Sequence, residues 1–439
     1  MKKNLFYIFA IGALAFFACS NENREVHEDQ PVVGHATFKA YIAEKELTKT
    51  TYLNEATFNW VGDEIVSMDL IKNSDNSGDR YDFYIPNLDD ATAVTFASAG
   101  NLSVGQGEEY TYRLGERAYY PGQKNAAGYP VFQIGTAIKT NVSASTVTLS
   151  ETFKPSVAQP LRVIPLIGNN DGSDNFAFHT ATGILKVTVT GIDYRLSKVQ
   201  LYSEGQQLSG TFNISSVDGV ECYEMTSSSS DNTISLQYAD RINETSLPFY
   251  FPVPVGTLQA GFQIRLIDIL GNAIRTVKCN SDIPIERNHI SEMTKSIAMP
   301  AAPSAAALAG TYYIGNSSSY QLLISDTDDA SKGNIRITGY PSWSLTGSIY
   351  GYYNGDSKVS FAGNQAFNQH SNSKYYCVHG QGRDGVVRDV LFSVAISNDK
   401  YQLTPTGAFG IGEATMSDGA VTSYSTTTQV WNTCVLYQQ

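Results

Sequence analysis

Trp343, Tyr350, Tyr352 and Tyr353 crowd one short segment, PSWSLTGSIYGYYNGD, beside Asn354 and Asp356, and Trp431 lies farther along with Tyr424 nearby. Flat aromatic faces stack against the C–H surfaces of sugars while amides and carboxylates bond the hydroxyls. Trp343, Tyr350, Tyr352, Tyr353 and Trp431 are therefore a candidate ligand platform. The same rings are equally suited to packing a β core or a sheet surface. Other chemistry is sparsely supported. His27, His35, His179, His289, His370 and His379 are scattered without metal-ligand spacing. Asp326, Asp328 and Asp329 cluster as hard oxygen ligands for calcium would, but the Gly and ligand positions of an EF-hand loop are missing, which fits an acidic turn. No serine sits in a GxSxG setting and there is no phosphate-cradling GxxxxGK[ST]. Nothing singles out a carboxylate pair for glycoside hydrolysis. The expectation is a protein without catalytic residues, metal or cofactor.

Cys222, Cys279, Cys377 and Cys434 are distributed without a CxxC, so a redox motif or zinc ribbon is not expected. In an oxidising compartment four cysteines permit three pairings. Pairing within units gives Cys222–Cys279 and Cys377–Cys434, each closing a loop of about 57 residues, for about 3–4 kcal/mol in the chain-entropy picture. The alternative is buried thiols acting as small hydrophobes.

Something must position these residues, and composition says what. The chain has 439 residues, a formal net charge of −12, and 42% hydrophobic against only 16% charged residues. That is enough apolar material for several cores and too long for one. Tyrosine (27) and glycine (36) are abundant, and Thr, Ser and Val recur without helical periodicity. This mixture predicts an all-β, exported protein. The acidic balance argues against nucleic-acid binding.

Period-two patterns fill in the elements. In GHATFKAYIAE, Ala36, Phe38, Ala40 and Ile42 alternate with polar partners. Two strands are expected around Gly62-Asp63, and STVTLSETF alternates through Val147 and Leu149. PLRVIPLIG closes a first unit, and NNDGSDN reads as a domain junction. In GILKVTVTG, Leu185, Val187 and Val189 share one face. SKVQLYSEGQQLSGTFNIS reads as a hairpin bending at Gly205. LPFYFPVPVGT, with Pro248, Pro252 and Pro254, belongs on a sheet edge. AGFQIRLIDILGNAIRTVKC turns at Gly271-Asn272. Ala, Pro and Ser dominate a linker at 300–309. Short strands then recur over 310–439, as in a small sandwich or barrel.

The first residues are an address. Lys2 and Lys3 precede an apolar run from Leu5 to Ala18, too short for a comfortable span. Ala18-Cys19 after that run resembles a bacterial lipoprotein signal. The resemblance implies removal of residues 1–18, lipidation of Cys19, and a tether over 19–31.

FNWVGDEI (58–65), FAFHTATGILKVTVTGI (176–192), LSGTFNI (208–214) and YFPVPVGT (250–257), in that order, resemble fimbrillin-like lipoproteins of Bacteroides-type bacteria. The resemblance covers about residues 30–300. It implies two tandem transthyretin-like β-sandwich domains, placed at 32–168 and 169–299, before the β domain at 310–439. It also implies a pilus subunit, exposed on the outer membrane and joined to its fellows by β-strand addition. In that family a protease frees the first strand by cutting the loop after it. Here that loop holds Lys45 and Lys49 but no arginine, and Arg24 precedes the strand. The first strand is therefore expected to stay paired. Stalk subunits end near the close of the second domain, whereas a further unit follows here, which suits a tip or accessory subunit that binds a surface glycan or protein. The rival expectation is a glycan-capturing lipoprotein using the aromatics of the last domain.

Overall fold

The structure, a computed structural model, describes residues 35–43, 60, 62, 64–76, 78–90, 93–105, 109–120, 133–134, 146–158, 160–217, 219–238, 242, 244–315, 317–329, 331–339, 347–363, 365–371, 374–380, 389–417, 420–431 and 435–439. The signal segment, Cys19, Lys45, Lys49, Trp343 and Cys434 lie outside them. The architecture is all-β, as expected: among the described residues the only helical turns are 3-10, at Pro160–Val163 and Ala306–Leu308. No helix among them is long and apolar enough to cross a membrane.

The opening strand His35–Ile42 sits inside a closed seven-stranded N-terminal barrel. It runs antiparallel to Ala93–Asn101, with Phe38 opposite Phe96, and parallel to Asn175–Thr180, with Ala40 opposite Phe176. Its alternation puts Ala36, Phe38 and Ala40 inward. The Phe38 ring lies 4.9–5.3 Å from those of Phe83, Phe96 and Phe176. Trp60 meets Phe96 and Phe178 edge-on deeper in the core. Gly168 is needed there, because a Cβ would stand 2.7 Å from the Phe178 ring.

The central sandwich packs two layers. One has Ser246–Val253 beside Gly183–Thr190, which also pairs with Ile290–Glu292 and Ile297–Ala298. The other runs Ala273–Lys278, Gln263–Asp268, Leu196–Tyr202, Thr233–Leu236 and Thr152–Phe153. Leu185, Val187 and Val189 face the core with Val199, Leu201, Phe249 and Ile264, as their spacing predicts. The proline-bearing Ser246–Val253 is an edge strand, where missing N–H groups break no ladder. The turn at Gly271 is also as expected: its φ is +83°, and the Asp268 carboxylate accepts the Leu270 and Asn272 N–H groups.

Three sequence readings are corrected. The stretch NNDGSDN is a hairpin turn inside the N-terminal barrel: it joins Leu166–Asn170 to Asn175–Thr180, and Asp171 accepts the Ser173 N–H and hydroxyl. The strand bordering Gly205 and the strand Gly210–Val217 do not form a hairpin. They lie in different sheets, Gly210–Val217 pairing with Thr146–Leu149 and Val220–Tyr223. The division expected between residues 168 and 169 also cuts through barrel strands. The chain visits the central unit with 146–153, returns to the barrel with 166–180, and only then leaves for good. The junction is cross-tied by the buried ion pair of Arg117 with Glu221 and by Tyr119 and Tyr223 in a shared cluster.

The third unit is a closed eight-stranded C-terminal barrel, in which the first strand Gly310–Ile314 pairs with the last, Leu436–Gln438. A four-stranded sheet of Ala366–Ser371, Lys374–Gly380, Phe409–Ser417 and Ala420–Trp431 is attached to it. The segment expected as a linker is docked. Ala305 and Leu308 are in the barrel core, Asn334 Nδ2 donates to Pro303 O at 2.7 Å, and Gln438 Nε2 donates to Ala309 O at 3.0 Å.

Candidate functional site

The aromatic segment of the sequence becomes the strand Ser348–Tyr353, and a strand sends alternate side chains to opposite faces. Ile349 and Tyr353 point into the barrel core. Tyr350 and Tyr352 share the outer face, which turns toward the central sandwich. Gly351 sits between them because a Cβ would come 2.5 Å from both the Phe361 ring and the Ser360 carbonyl. The expected five-residue platform is therefore not assembled. Tyr353 is internal and 5% exposed, Trp343 lies outside the described residues, and Trp431 is placed by its backbone opposite Phe409 in the attached sheet.

Tyr350 and Tyr352 instead form one wall of a crevice of about 660 Å³ between the central sandwich and the C-terminal barrel. Tyr194, Tyr238, Leu196 and Ile269 form the facing wall, and Ser360, Gln365 and Asp389 complete it on the barrel side. Such a volume is ordinary for a small-ligand cleft, which spans about 300–1,000 Å³. Tyr194 and the facing tyrosines were not singled out by the sequence reading. Their signal is spatial, since they lie more than a hundred residues before Tyr350.

The two walls touch at one point. Tyr194 meets Tyr352 edge to face at 5.9 Å. Tyr352 is 2% exposed, and burial together with the Asp268 carboxylate pushes its hydroxyl up to about 12. Next to it, Arg195 is buried and chelates Asp193 through Nε and Nη2. It also donates to the carbonyls of Pro300 and Ala301, the start of the docked connector. Burial opposes its charge, but the Asp193 carboxylate outweighs this and the guanidinium pKa is raised.

The rim is polar. Tyr350 donates to Asp328 at 2.9 Å, which raises its pKa, and the Lys332 ammonium stands 5.0 Å from its ring centre. Lys332 also pairs with Asp329 at 2.8 Å. The acidic stretch thus forms a turn tied to lysine and to Arg336, which pairs with Asp328. Among the described residues no group of three or more His, Cys, Asp or Glu converges as metal ligands would.

Two hydroxyls in the crevice are buried without a hydrogen-bond partner: Tyr194 Oη and Ser360 Oγ. Ser360 faces Tyr352 across the ladder and is 1% exposed. The Asn334 N–H near Tyr194 donates instead to the Gly351 carbonyl at 3.0 Å.

The expected Cys222–Cys279 bridge is not formed, and the expected Cys377–Cys434 bridge has its second member outside the described residues. Cys222, Cys279 and Cys377 stand as thiols outside any disulfide. Cys222 lies on Val220–Tyr223 beside Ser215, whereas Cys279 follows Ala273–Lys278, a strand of another sheet. Cys377 is buried in the sheet attached to the C-terminal barrel, and burial raises its thiol to about 11.

No family model matches the chain and no curated protein matches it. Among solved structures, a candidate cell adhesion protein from Bacteroides ovatus is 16% identical with a TM-score of 0.32, over 59% of this chain and 91% of that one. A candidate cell adhesion protein from Bacteroides fragilis is 7% identical with a TM-score of 0.28, over 59% of this chain and 91% of that one. The tip fimbrial protein Mfa3 from Porphyromonas gingivalis, with a C-terminal truncation, is 10% identical with a TM-score of 0.23, over 59% of this chain and 93% of that one.

Proposed function

We propose that the chain is a fimbrillin-like surface lipoprotein, a tip or accessory pilus subunit held to the outer membrane through Cys19 and acting in adhesion rather than catalysis. The observation that carries this reading is the pairing of the opening strand on both edges. A barrel closed by a strand near the chain's start can exchange that strand for a segment of another subunit, because removing it exposes unpaired backbone and an apolar groove. The groove here would be lined by Phe83, Phe96 and Phe176. With that strand in place the groove is filled, so other subunits add to remaining sheet borders, as a terminal or accessory subunit requires. The docked C-terminal barrel supplies the surface that meets a partner.

Deletion of the gene followed by electron microscopy and an adhesion assay tests the reading. Altered surface fibres or reduced adhesion, restored by the full-length gene, is the expected result. Unchanged fibres together with unchanged adhesion would overturn it.

A further inference from the structure

We infer that the crevice between the central sandwich and the C-terminal barrel binds a neutral saccharide. The inference deepens the adhesive reading and rests on it for its biological setting. It stands on Tyr194 and Ser360, residues that line the crevice from opposite units and whose hydroxyls are buried at its wall without a partner. A buried hydroxyl left without a partner is unfavourable, and each such group in a folded protein calls for a reason. A ligand hydroxyl, which both donates and accepts, can pair with either of them.

The surroundings select the ligand class. Tyr350 presents aromatic surface on one wall, with the 2% exposed Tyr352 packed beside it, and aromatic rings accept the C–H faces of sugars. The charged lining residues are Asp193, Lys332 and Asp389. Lys332 is taken up by Asp329 at 2.8 Å, and Asp193 by Arg195. Asp389 accepts the Gly363 N–H at 2.9 Å through Oδ1, leaving carboxylate lone pairs for a donor. The crevice therefore offers acceptors and hydroxyls without an unpaired cation among its described residues. That disfavours phosphorylated, sulfated and sialylated ligands and suits a polyhydroxylated neutral one. The volume of about 660 Å³ admits a short oligosaccharide segment rather than a folded partner.

The test uses the full-length mature chain, Tyr194→Phe and Ser360→Ala on an array of neutral, acidic and amino-sugar oligosaccharides, with titration calorimetry on the strongest neutral hit. Both substitutions remove only a hydroxyl that has no partner in the protein, so the melting temperature should hold or rise. Wild type should bind a neutral saccharide, and each variant should lose roughly three- to tenfold in affinity. Three results would overturn the inference: an array without neutral hits, preference for acidic or cationic sugars, or wild-type affinity in both variants. Failure here is separable from failure of the adhesive reading. Adhesion lost on gene deletion but unchanged in cells carrying Tyr194→Phe sinks the crevice alone. Saccharide binding by the purified chain with adhesion and fibres unaffected by deletion sinks the adhesive role alone.

Discussion

Tyr194 of the central sandwich and Tyr352 of the C-terminal barrel meet edge to face, with ring centres 5.9 Å apart and planes at 72°. The contact joins units whose sequences are separated by the whole second half of the sandwich. An aromatic pair of this kind is worth about 0.5–1.5 kcal/mol beyond its buried area, so it does not hold the units together alone. Arg195, one residue along, adds the electrostatic part by binding Asp193 and the connector carbonyls at once.

Arg195→Ala should therefore weaken the coupling between the last two units. It strips the partner from Asp193 and leaves the Pro300 and Ala301 carbonyls short of donors. The expected loss is about 2–3 kcal/mol, below the usual range for breaking a buried pair because Asp193 is partly exposed. Scanning calorimetry should show the C-terminal barrel melting as a separate, earlier transition. A single transition at the wild-type temperature would contradict the clamp.

The opening strand should depend on Phe38 above its other residues. Phe38→Ala removes a ring packed against three others and should destabilise the N-terminal barrel by about 3–5 kcal/mol. Denaturant unfolding reads the loss, and limited proteolysis should show earlier cleavage of the barrel. Lys39→Ala, on the outward face of the same strand, should fall within about 0.5 kcal/mol of wild type.

Protein recovered from the cell surface should begin at Cys19 with acyl groups attached and should retain the opening strand. Intact-mass and N-terminal analysis check both. A new N-terminus between Lys45 and Thr51 would show that the strand is released after all.

Thiol chemistry should separate by depth. Burial raises the pKa of Cys279 and Cys377, and the thiolate is the reactive form. Under native conditions a maleimide should label Cys279 slowly and Cys222 and Cys377 only after denaturation. Recovery of a peptide pair bridged between Cys222 and Cys279 would contradict the structure.

Asp329 should stay ionised well into acid. Hydrogen bonds from Lys332 and Ser331 hold its carboxyl down at about 2. The folded form thus gives up its charge at lower pH than the unfolded chain, whose aspartates titrate near about 3.9. Any stabilisation from this group is present above that value and is lost as pH falls from there through about 2. Carboxyl-carbon NMR should place the Asp329 midpoint near the low end of this window, and Lys332→Met should move it back up.

The strand content was legible because alternation is local. Leu185, Val187 and Val189 face one core as their spacing requires, and Pro248 and Pro252 mark an edge because a missing N–H is harmless only there. The partition of strands among sheets was not legible. A turn such as NNDGSDN carries the same Gly, Asn and Asp chemistry whether it separates two domains or two neighbouring strands, so composition does not distinguish them. The site was half legible. Period-two alternation already places Tyr350 and Tyr352 on one face and Tyr353 on the other, so a platform using all three was excluded by the same rule that found the strand. Tyr194 and Ser360 could not be linked to it from the sequence, because their meeting depends on how two separate units dock.

The parallel neighbour of the opening strand is Asn175–Thr180, and the chain passes through the sandwich before reaching it. During synthesis, the first barrel therefore waits, unfinished, until more than a hundred further residues have emerged. Non-local closure of this kind is slow, and each half withholds a piece the other needs. The two units should mature together, and a fragment cut at either side of residue 168 would inherit an incomplete set of strands.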